Sequence, residues 1–295
     1  MTLDILAASY SPTDSAPPVL WTGNHSWMTR NFPMTTHYTF RLRDFPANKL
    51  QQFNTHRAFS RNVASGRAVP TDRILASIVL DERKGRERRW LAHTKQMQSY
   101  EPLSDYAAIQ ADKIWLAACD TAMEAARQLA LLGVHKQQIN TLLIPFKNVD
   151  IIFTSGLAGL QNFVKQRGNK YASDAMQEAA TLIDRTVANS TPVPAAVHAP
   201  LRFSSDNDVR PSIARLARVS YAREEAGTEE SNLALWRTLI EEDPQKDKVP
   251  HWSPLEHTLY ATKDAYAKYA NYQGFQSLRW RMEHGLTEEE IIKES

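Results

Sequence analysis

The sequence contains a single cysteine, Cys119, among its 295 residues. One thiol excludes an internal disulfide and a metal site built from several cysteines. Long apolar runs are also missing, because no stretch approaches the ~20 residues that a membrane-spanning helix needs. The first residues lack the basic start and the apolar core of a secretion signal. These absences predict a soluble protein that works inside the cell, in the cytoplasm.

The chain also has little excess charge. It contains 35 lysines and arginines and 33 aspartates and glutamates, which gives a net charge of +2. A dedicated DNA-binding domain usually has a more basic composition, so no nucleic acid partner is expected. Apolar residues make up 42% and charged residues 23% of the chain, as in ordinary globular proteins. We expect one domain over residues 1–295, with a possible linker near residues 191–211.

Several stretches have the periodicity of regular structure. Strands are predicted for residues 3–9, 35–43 and 148–155, which alternate or run apolar. A long amphipathic helix is predicted for residues 105–132, whose apolar side chains recur at helical spacing at Ile109, Leu116, Cys119, Met123 and Ala126. The thiol of Cys119 lies on this stripe, so we expect it to be buried and inert, since no nearby group would lower its pKa.

Hydrogen-bond donors are concentrated between Gln52 and Pro70, in the sequence QFNTHRAFSRNVASGRAVP. A core helix would not collect donors in this way, because buried polar groups need partners. Arginine side chains can grip phosphate oxygens in pairs, and Gly66 lets backbone N–H groups approach closely. The composition predicts a loop shaped around an anion; a solvated basic turn is the alternative.

Within that stretch, the order THRAFSRNVASGRA resembles the signature loop of the flavin-dependent thymidylate synthases. In that family Arg-His-Arg is followed by a spaced Ser, Asn, Ser and Arg. The matching positions are Gln52, His56, Arg57, Ser60, Asn62, Ser65, Gly66 and Arg67. Thr55 and Val63 depart from the family pattern, and both departures resemble a phage-type branch.

Three further segments resemble the same family. Residues 162–167 are similar to its Asn-Phe-x-x-x-Arg segment, and residues 217–221 to its Ala-Arg-Val-Ser-Tyr segment. Residues 251–257 resemble its His-x-Ser-Pro-x-Glu-His motif. This motif precedes the arginine-rich loop in the common layout but follows it here, which indicates the circular permutation of the phage-type branch. The spacing of His251 and His257 across a proline fits no helix-borne zinc site, so no metal is expected.

The resemblance implies an α/β (α+β) fold in which long helices flank a central, mostly antiparallel sheet. It implies methylation of dUMP to dTMP by an enzyme that binds FAD. Methylenetetrahydrofolate would give the one-carbon unit, and NADPH would be the reductant. The family also implies a homo-oligomer, a tetramer whose subunits contribute jointly to each site.

Each matching residue receives a role from the resemblance. The catalytic candidates are Arg167, which would hold the edge of the pyrimidine, and Ser65. The cofactor-binding candidates are His56, Arg57, Asn62, Asn162, His251, Ser253 and Glu256. The substrate-binding candidates are Gln52, Ser65, Gly66, Arg67 and Arg167.

Two departures leave other functions open. Thr141 and Ala158 replace polar or charged family residues, and the loss of a phosphate-binding arginine removes charge-assisted hydrogen bonds. The alternatives are a related pyrimidine nucleotide such as dCMP, a hydroxymethyl product, or a catalytically silent relative that binds a nucleotide. A basic groove that stacks nucleic acid on the tryptophans is a further alternative.

Overall fold

Residues with alternating or continuous apolar character form a central sheet. The computed structural model describes residues 1–15, 17–23, 29–64, 66–86, 88–95, 99–219, 227–241 and 250–294. Its strands are β1 (Thr2–Tyr10), β2 (Val19–Trp21), β3 (Arg30–Phe32), β4 (His37–Pro46), β5 (Ser60–Val63), β6 (Asn148–Gly156), β7 (Val193–Pro194), β8 (Val197–His198), β9 (Leu259–Ala261), β10 (Lys268–Tyr269), β11 (Tyr272–Gln273) and β12 (Phe275–Ser277).

Helices connect and cover these strands. They are α1 (Leu50–Asn54), α2 (Thr71–Leu80), α3 (Asp105–Leu131), α4 (Lys136–Leu142), α5 (Leu157–Arg167), α6 (Asp174–Ala188), α7 (Arg210–Val219), α8 (Glu229–Ile240), α9 (Leu278–Glu283) and α10 (Glu288–Glu294). None of the helices in the described ranges is both long and apolar enough to cross a bilayer.

The central sheet has five strands in the order β5-β6-β4-β1-β7. Strands β5, β6, β4 and β1 pair antiparallel, and the short β7 is parallel to β1. The inner strands β4 and β6 are buried along most of their length, as expected for strands covered on both faces. The predicted fold class, a mostly antiparallel sheet flanked by helices, is confirmed.

One face of the sheet carries an aromatic core. Phe53, from α1, lies within 5.6 Å (ring centroid to ring centroid) of Phe45, Phe59, Phe153 and Phe163. All five rings are almost completely buried. Because Phe53 and Phe59 bracket the turn at residues 55–58, this packing anchors both ends of that turn to the sheet and to α5.

A second core joins α3 to α2 and α4. The predicted apolar stripe of α3 is confirmed for Cys119, Met123 and Ala126, which are buried there, and burial raises the pKa of the Cys119 thiol. The prediction is wrong for Ile109, which is 54% exposed. The described part of this core contains no α3 side chain before Trp115, so Ile109 lies beyond the end of this core.

The donor-rich stretch is only partly a loop. Ser60–Val63 forms β5, an edge strand whose Ser60 and Asn62 lie opposite Thr154 and Ile152 of β6. The loop prediction is wrong for these four residues because their polar side chains find partners on one face of the sheet. Residues 212–221 are predicted as a strand or the edge of a helix. Residues 212–219 belong to α7, which is buried from Pro211 onward, and residues 220 and 221 lie outside the described residues.

Candidate functional site

The donor-rich stretch presents its side chains in three places: the turn after α1, the strand β5, and the turn before α2. Each place is held by a different part of the chain. Residue Ser65, a predicted catalytic and substrate-binding residue, lies outside the described residues.

Arg167, the last residue of α5, lies against the turn after α1. Its Nε donates a hydrogen bond to Nε2 of His56 at 2.8 Å, and its Nη2 donates to Oγ1 of Thr55 at 3.0 Å. Nη2 also lies 3.4 Å from the backbone oxygen of Gln52. An arginine N–H can only donate, so His56 accepts as a neutral imidazole whose proton is on Nδ1.

Electrostatics keep His56 neutral. Burial, followed by the charges of Arg167 and Arg61, lowers the pKa of His56 to about 4. At neutral pH the imidazole therefore accepts from Arg167 without competing for the proton. The structure thus brings together the predicted residues Gln52, His56 and Arg167, which come from two separate family segments.

One edge of the Arg167 guanidinium stays open. The three contacts use Nε and Nη2, whereas Nη1 has no hydrogen-bond partner among the residues the structure describes. In the same part of the chain no carboxylate forms an ion pair with this half-buried cation. A guanidinium fixed along one edge can donate from the other to a carbonyl oxygen or to developing negative charge.

Two predicted flavin ligands beside this pair are exposed. Arg57 points away from the core in the turn after α1. Asn162 lies on α5, and its Oδ1 accepts from Nε2 of Gln166 at 3.0 Å, so the predicted common face of these two residues is confirmed. Gln52 is half-buried, and its Oε1 accepts a hydrogen bond from the hydroxyl of Ser173 at 3.1 Å.

Glu256 meets β5 from a distant part of the sequence. It lies in the 3-10 helix Ser253–His257, and its Oε2 accepts from the hydroxyl of Ser60 at 3.4 Å. Its Oε1 lies 3.4 Å from Nη1 of Arg279. Burial raises the pKa of this carboxyl, and Arg279 opposes the shift. The His-x-Ser-Pro-x-Glu-His motif therefore contacts the signature stretch in the folded chain.

The other predicted residues of this region have different surroundings. Asn62 is buried, and its Nδ2 donates to the backbone oxygen of Leu216 at 3.2 Å, which ties β5 to α7. His251 is exposed, and its Nε2 lies 3.3 Å from the hydroxyl of half-buried Ser253. These two residues precede Glu256, and Ser253 belongs to the same 3-10 helix.

A buried chain of polar groups lies beneath Glu256, and sequence reasoning missed it. His198 contacts the hydroxyl of Ser9 through Nδ1 at 2.7 Å and that of Thr39 through Nε2 at 2.8 Å. Thr39 contacts Thr154 at 2.6 Å, and Thr154 contacts Nδ1 of His257 at 2.8 Å. Thr39, Thr154 and His198 are polar residues within otherwise apolar strands, and this pattern was the one signal in the sequence for the buried hydrogen bonds.

Neutral histidines fit this hydrogen-bonded series of buried polar groups. Burial is the first cause that lowers the pKa of His198 and of His257, each to about 3. A neutral imidazole donates from one nitrogen and accepts at the other, and the hydroxyls of Ser9 and Thr39 can fill either role. These hydrogen bonds attach the Ser253–His257 turn to the central sheet, and this attachment positions Glu256.

The turn before α2 is held by Asn140, another residue that sequence reasoning missed. Its Nδ2 donates to the backbone oxygens of Gly66 at 2.7 Å and Val69 at 3.1 Å. Its Oδ1 accepts from the hydroxyl of Thr71 at 2.9 Å. The buried amide thus fixes the shape of the turn, from which the side chain of Arg67 extends to the surface.

A cavity of about 630 Å³ opens beside this turn and is lined by Ala64 and Val69. The lining does not include His56, Asn162 or Glu256. Within one chain the candidate residues therefore lie on both sides of β5 rather than around this cavity.

Known proteins share features with this chain. The family model described as thymidylate synthase complementing protein matches residues 33–193, more than half of the chain. No curated protein matches it. A solved structure of flavin-dependent thymidylate synthase ThyX from Helicobacter pylori, complexed with FAD and dUMP, is 20% identical with a TM-score of 0.35, and the match covers 51% of this chain and 67% of that one. A second structure of Helicobacter pylori ThyX with FAD and dUMP is 21% identical with a TM-score of 0.35. That match covers 50% of this chain and 65% of the solved one.

Proposed function

The chain belongs to the thymidylate synthase complementing protein family, and from that premise we propose that it converts dUMP to dTMP with bound FAD. Methylenetetrahydrofolate is the proposed one-carbon donor, and NADPH the proposed reductant. The observation that carries the proposal is the guanidinium of Arg167, which neutral His56 holds along one edge while Nη1 stays open. No carboxylate competes for that edge among the described residues.

The polar groups around Arg167 and Glu256 suit a flavin. The Nδ1–H of His56 has no hydrogen-bond partner among the described residues, and the side chains of Arg57 and Asn162 beside it are exposed. With Asn62, His251, Ser253 and Glu256 they form the proposed FAD-binding set. When bound, FAD supplies the redox chemistry of the methyl transfer.

The chain's own residues bind and polarise the nucleotide. Arg167 donates from Nη1 to the carbonyl edge of the pyrimidine and stabilises the negative charge that develops there. Gln52, Gly66 and Arg67 contact the nucleotide, with the turn at Gly66 already shaped by Asn140. Ser65, next to Gly66 in sequence, is proposed as the second catalytic residue.

We further propose the circularly permuted, phage-type arrangement of the family. The family match ends at residue 193, and the His-x-Ser-Pro-x-Glu-His segment follows it at residues 251–257. Glu256 nevertheless contacts Ser60, inside the matched range. The spatial pairing of the two motifs is therefore compatible with their exchanged order in the sequence. The proposal takes residues 1–295 as one catalytic domain.

A homotetramer is proposed, and exposed apolar side chains support it. On α3, Ile114 is 71% exposed and Leu131 88% exposed, and Tyr106 and Leu132 are also largely exposed. Apolar side chains in such numbers along one helix are typical of a surface that another subunit covers. Light scattering should give four times the mass of one chain, and Ile114→Asp should lower it; a monomeric wild type would contradict the proposal.

Flavin content tests the cofactor assignment. The purified protein is expected to be yellow. Glu256→Gln, which replaces a charged acceptor oxygen with an amide donor, and Asn162→Ala, which removes an amide, should each reduce its bound FAD at least tenfold. Glu124→Gln, an exposed change on α3, is the matched control. Full FAD binding by both site variants would contradict the assignment.

Product analysis with the same purified protein distinguishes the proposed reaction from the alternatives. With dUMP, methylenetetrahydrofolate and NADPH, the proposal predicts a product with the mass of dTMP. A product only from dCMP, or one with the mass of a hydroxymethyl nucleotide, would instead support the related activities that Thr141 and Ala158 leave open. Nucleotide binding without any product would identify a silent relative.

A further inference from the structure

Residues 268–283 contact the donor-rich stretch, although they lie far beyond the end of the family match at residue 193. Strands β10 and β11 pair antiparallel, and Asn271 lies in the turn between them. Its Nδ2 donates a hydrogen bond to the hydroxyl oxygen of Ser60 at 3.3 Å. An amide N–H can only donate, so the hydroxyl of Ser60 accepts this bond and directs its own proton to Oε2 of Glu256.

Tyr272, on β11, holds the main chain of Glu256. Its hydroxyl donates to the backbone oxygen of Glu256 at 2.6 Å, and the side chain is fully buried. Burial raises the pKa of this phenol well above its usual value, so the hydroxyl keeps its proton and can donate. The main chain of Glu256 is therefore attached to β11 as well as to the central sheet.

Arg279, in α9, faces the carboxylate of Glu256. Its Nη1 lies 3.4 Å from Oε1 of Glu256. Its Nε donates to Oε1 of Glu283, one turn later in the same helix, at 2.8 Å, which fixes the guanidinium. The half-buried carboxylate of Glu256 therefore has the hydroxyl of Ser60 on one oxygen and a guanidinium on the other.

The other charged side chains on the described elements packed against the Glu256 turn are engaged elsewhere. They are Arg61 of β5, Asp150 of β6, Arg210, Arg215 and Arg218 of α7, and Arg281 of α9, and each binds a partner other than Glu256. His257, in the same turn, is buried and neutral. The charges that act on Glu256 are those of Arg279, which lowers its pKa, and Glu283, which raises it.

We propose that Arg279 is a positioning residue for Glu256, and that it holds the carboxylate as a charged hydrogen-bond acceptor for the bound flavin. This inference rests on the proposed function and gives a role to a residue outside the proposed FAD-binding set. A carboxylate has about four lone-pair sites, and the contacts with Ser60 and Arg279 leave the others to accept from a ligand. An ionised acceptor makes a stronger hydrogen bond than a neutral one.

The pH dependence of FAD binding should follow from this arrangement. Because burial raises the pKa of Glu256 and Arg279 opposes that shift, Arg279→Met should raise the pKa further. A carboxylate that must be ionised to accept from the flavin loses affinity as the pH falls. The loss should therefore begin at a higher pH in Arg279→Met than in the wild type. Arg279→Lys retains the charge and should stay close to the wild-type profile.

FAD affinity measured between pH 8.5 and pH 6 tests the inference. Arg279→Met should bind FAD about tenfold more weakly than the wild type at pH 6, as for a lost charge-assisted hydrogen bond, and should approach the wild type at pH 8.5. Tyr272→Phe removes only the main-chain contact, so it should weaken binding equally at every pH. Arg237→Met, an exposed change on α8, is the matched control and should leave the profile unchanged. Melting temperatures at each pH restrict the comparison to folded protein.

A carbon-13 NMR titration of the flavin-free protein gives a second readout, with Glu256→Gln to assign the carboxyl signal. The midpoint of Glu256 should lie at a higher pH in Arg279→Met than in the wild type. Coincident midpoints or coincident FAD profiles in these two proteins would overturn the inference and leave the proposed function intact. If the midpoint moved but the wild type bound no FAD, Arg279 would still position Glu256 and the proposed function would fail.

Discussion

The Arg167→Lys variant is expected to turn over dUMP about 10²- to 10³-fold more slowly than the wild type, the usual effect of removing a preorganised donor to developing charge. Arg167 is fixed by Nε and Nη2, which contact His56 and Thr55, while Nη1 stays free to donate. A lysine has one ammonium on a flexible stem and cannot hold both sets of contacts at once. Because the positive charge is retained in this variant, a lower turnover rate would result from the lost geometry of the guanidinium contacts.

Two further readouts separate this effect from unfolding. Dissociation of FAD and the melting temperature should change little in Arg167→Lys. In Arg167→Ala the pKa of His56 should rise from about 4 toward its usual value, since the charge of Arg167 is one of the causes that lower it. Arg127→Lys, in an exposed pair with Glu124 on α3, is the control. Wild-type turnover by Arg167→Lys would remove Arg167 from the catalytic residues.

Mild acid is expected to unfold the protein steeply, because three buried histidines must stay neutral. Burial lowers the pKa of His37 to about 4 and those of His198 and His257 to about 3 each. The unfolded chain takes up protons on all three near pH 6.5, whereas the folded chain does not. The free energy of unfolding is therefore unaffected by these groups well above pH 6.5 and falls as the pH drops below 6.5, until the folded state also takes up protons near pH 4 (His37) and pH 3 (His198 and His257).

The size of this effect follows from proton linkage. Three protons bound only by the unfolded state change the free energy of unfolding by about 4 kcal/mol per pH unit. Because the unfolded histidines are half protonated at pH 6.5, the loss between pH 6.5 and pH 5 amounts to about 5 kcal/mol, which is comparable with the whole stability of a typical domain. His56, which is also buried and has a lowered pKa, adds to the slope.

Urea unfolding at several pH values measures this slope directly. His198→Gln should reduce it by about 1.4 kcal/mol per pH unit, one proton's share. The exposed His93→Gln is the matched control and should leave it unchanged. A free energy of unfolding that stays constant from pH 7 to pH 5 would show that these histidines are not held neutral by burial.

Sequence patterns predicted the local structure and the family well. Alternation in residues 35–43 and 148–155 predicted the two inner strands, and the spacing of Cys119, Met123 and Ala126 predicted the buried stripe of α3. The family that the motifs predicted is confirmed by the match to the thymidylate synthase complementing protein model over residues 33–193.

The parts that sequence missed depend on contacts between distant residues. Ser60 and Asn62 read as loop because their partners, Glu256 and Leu216, come from more than 150 residues away. Asn140 carries no motif, and its role arises only because α4 packs beside the turn at Gly66. Such partners cannot be read from periodicity, which reports one segment at a time.

Release of tritium from C5 of labelled dUMP is the most direct test of the central claim, that this chain activates the pyrimidine with FAD and Arg167. With FAD, methylenetetrahydrofolate and NADPH present, we expect release in step with dTMP formation in the wild type, and about 10²- to 10³-fold less in Arg167→Lys. A protein that binds FAD and dUMP and oxidises NADPH, yet releases no tritium, would contradict the account.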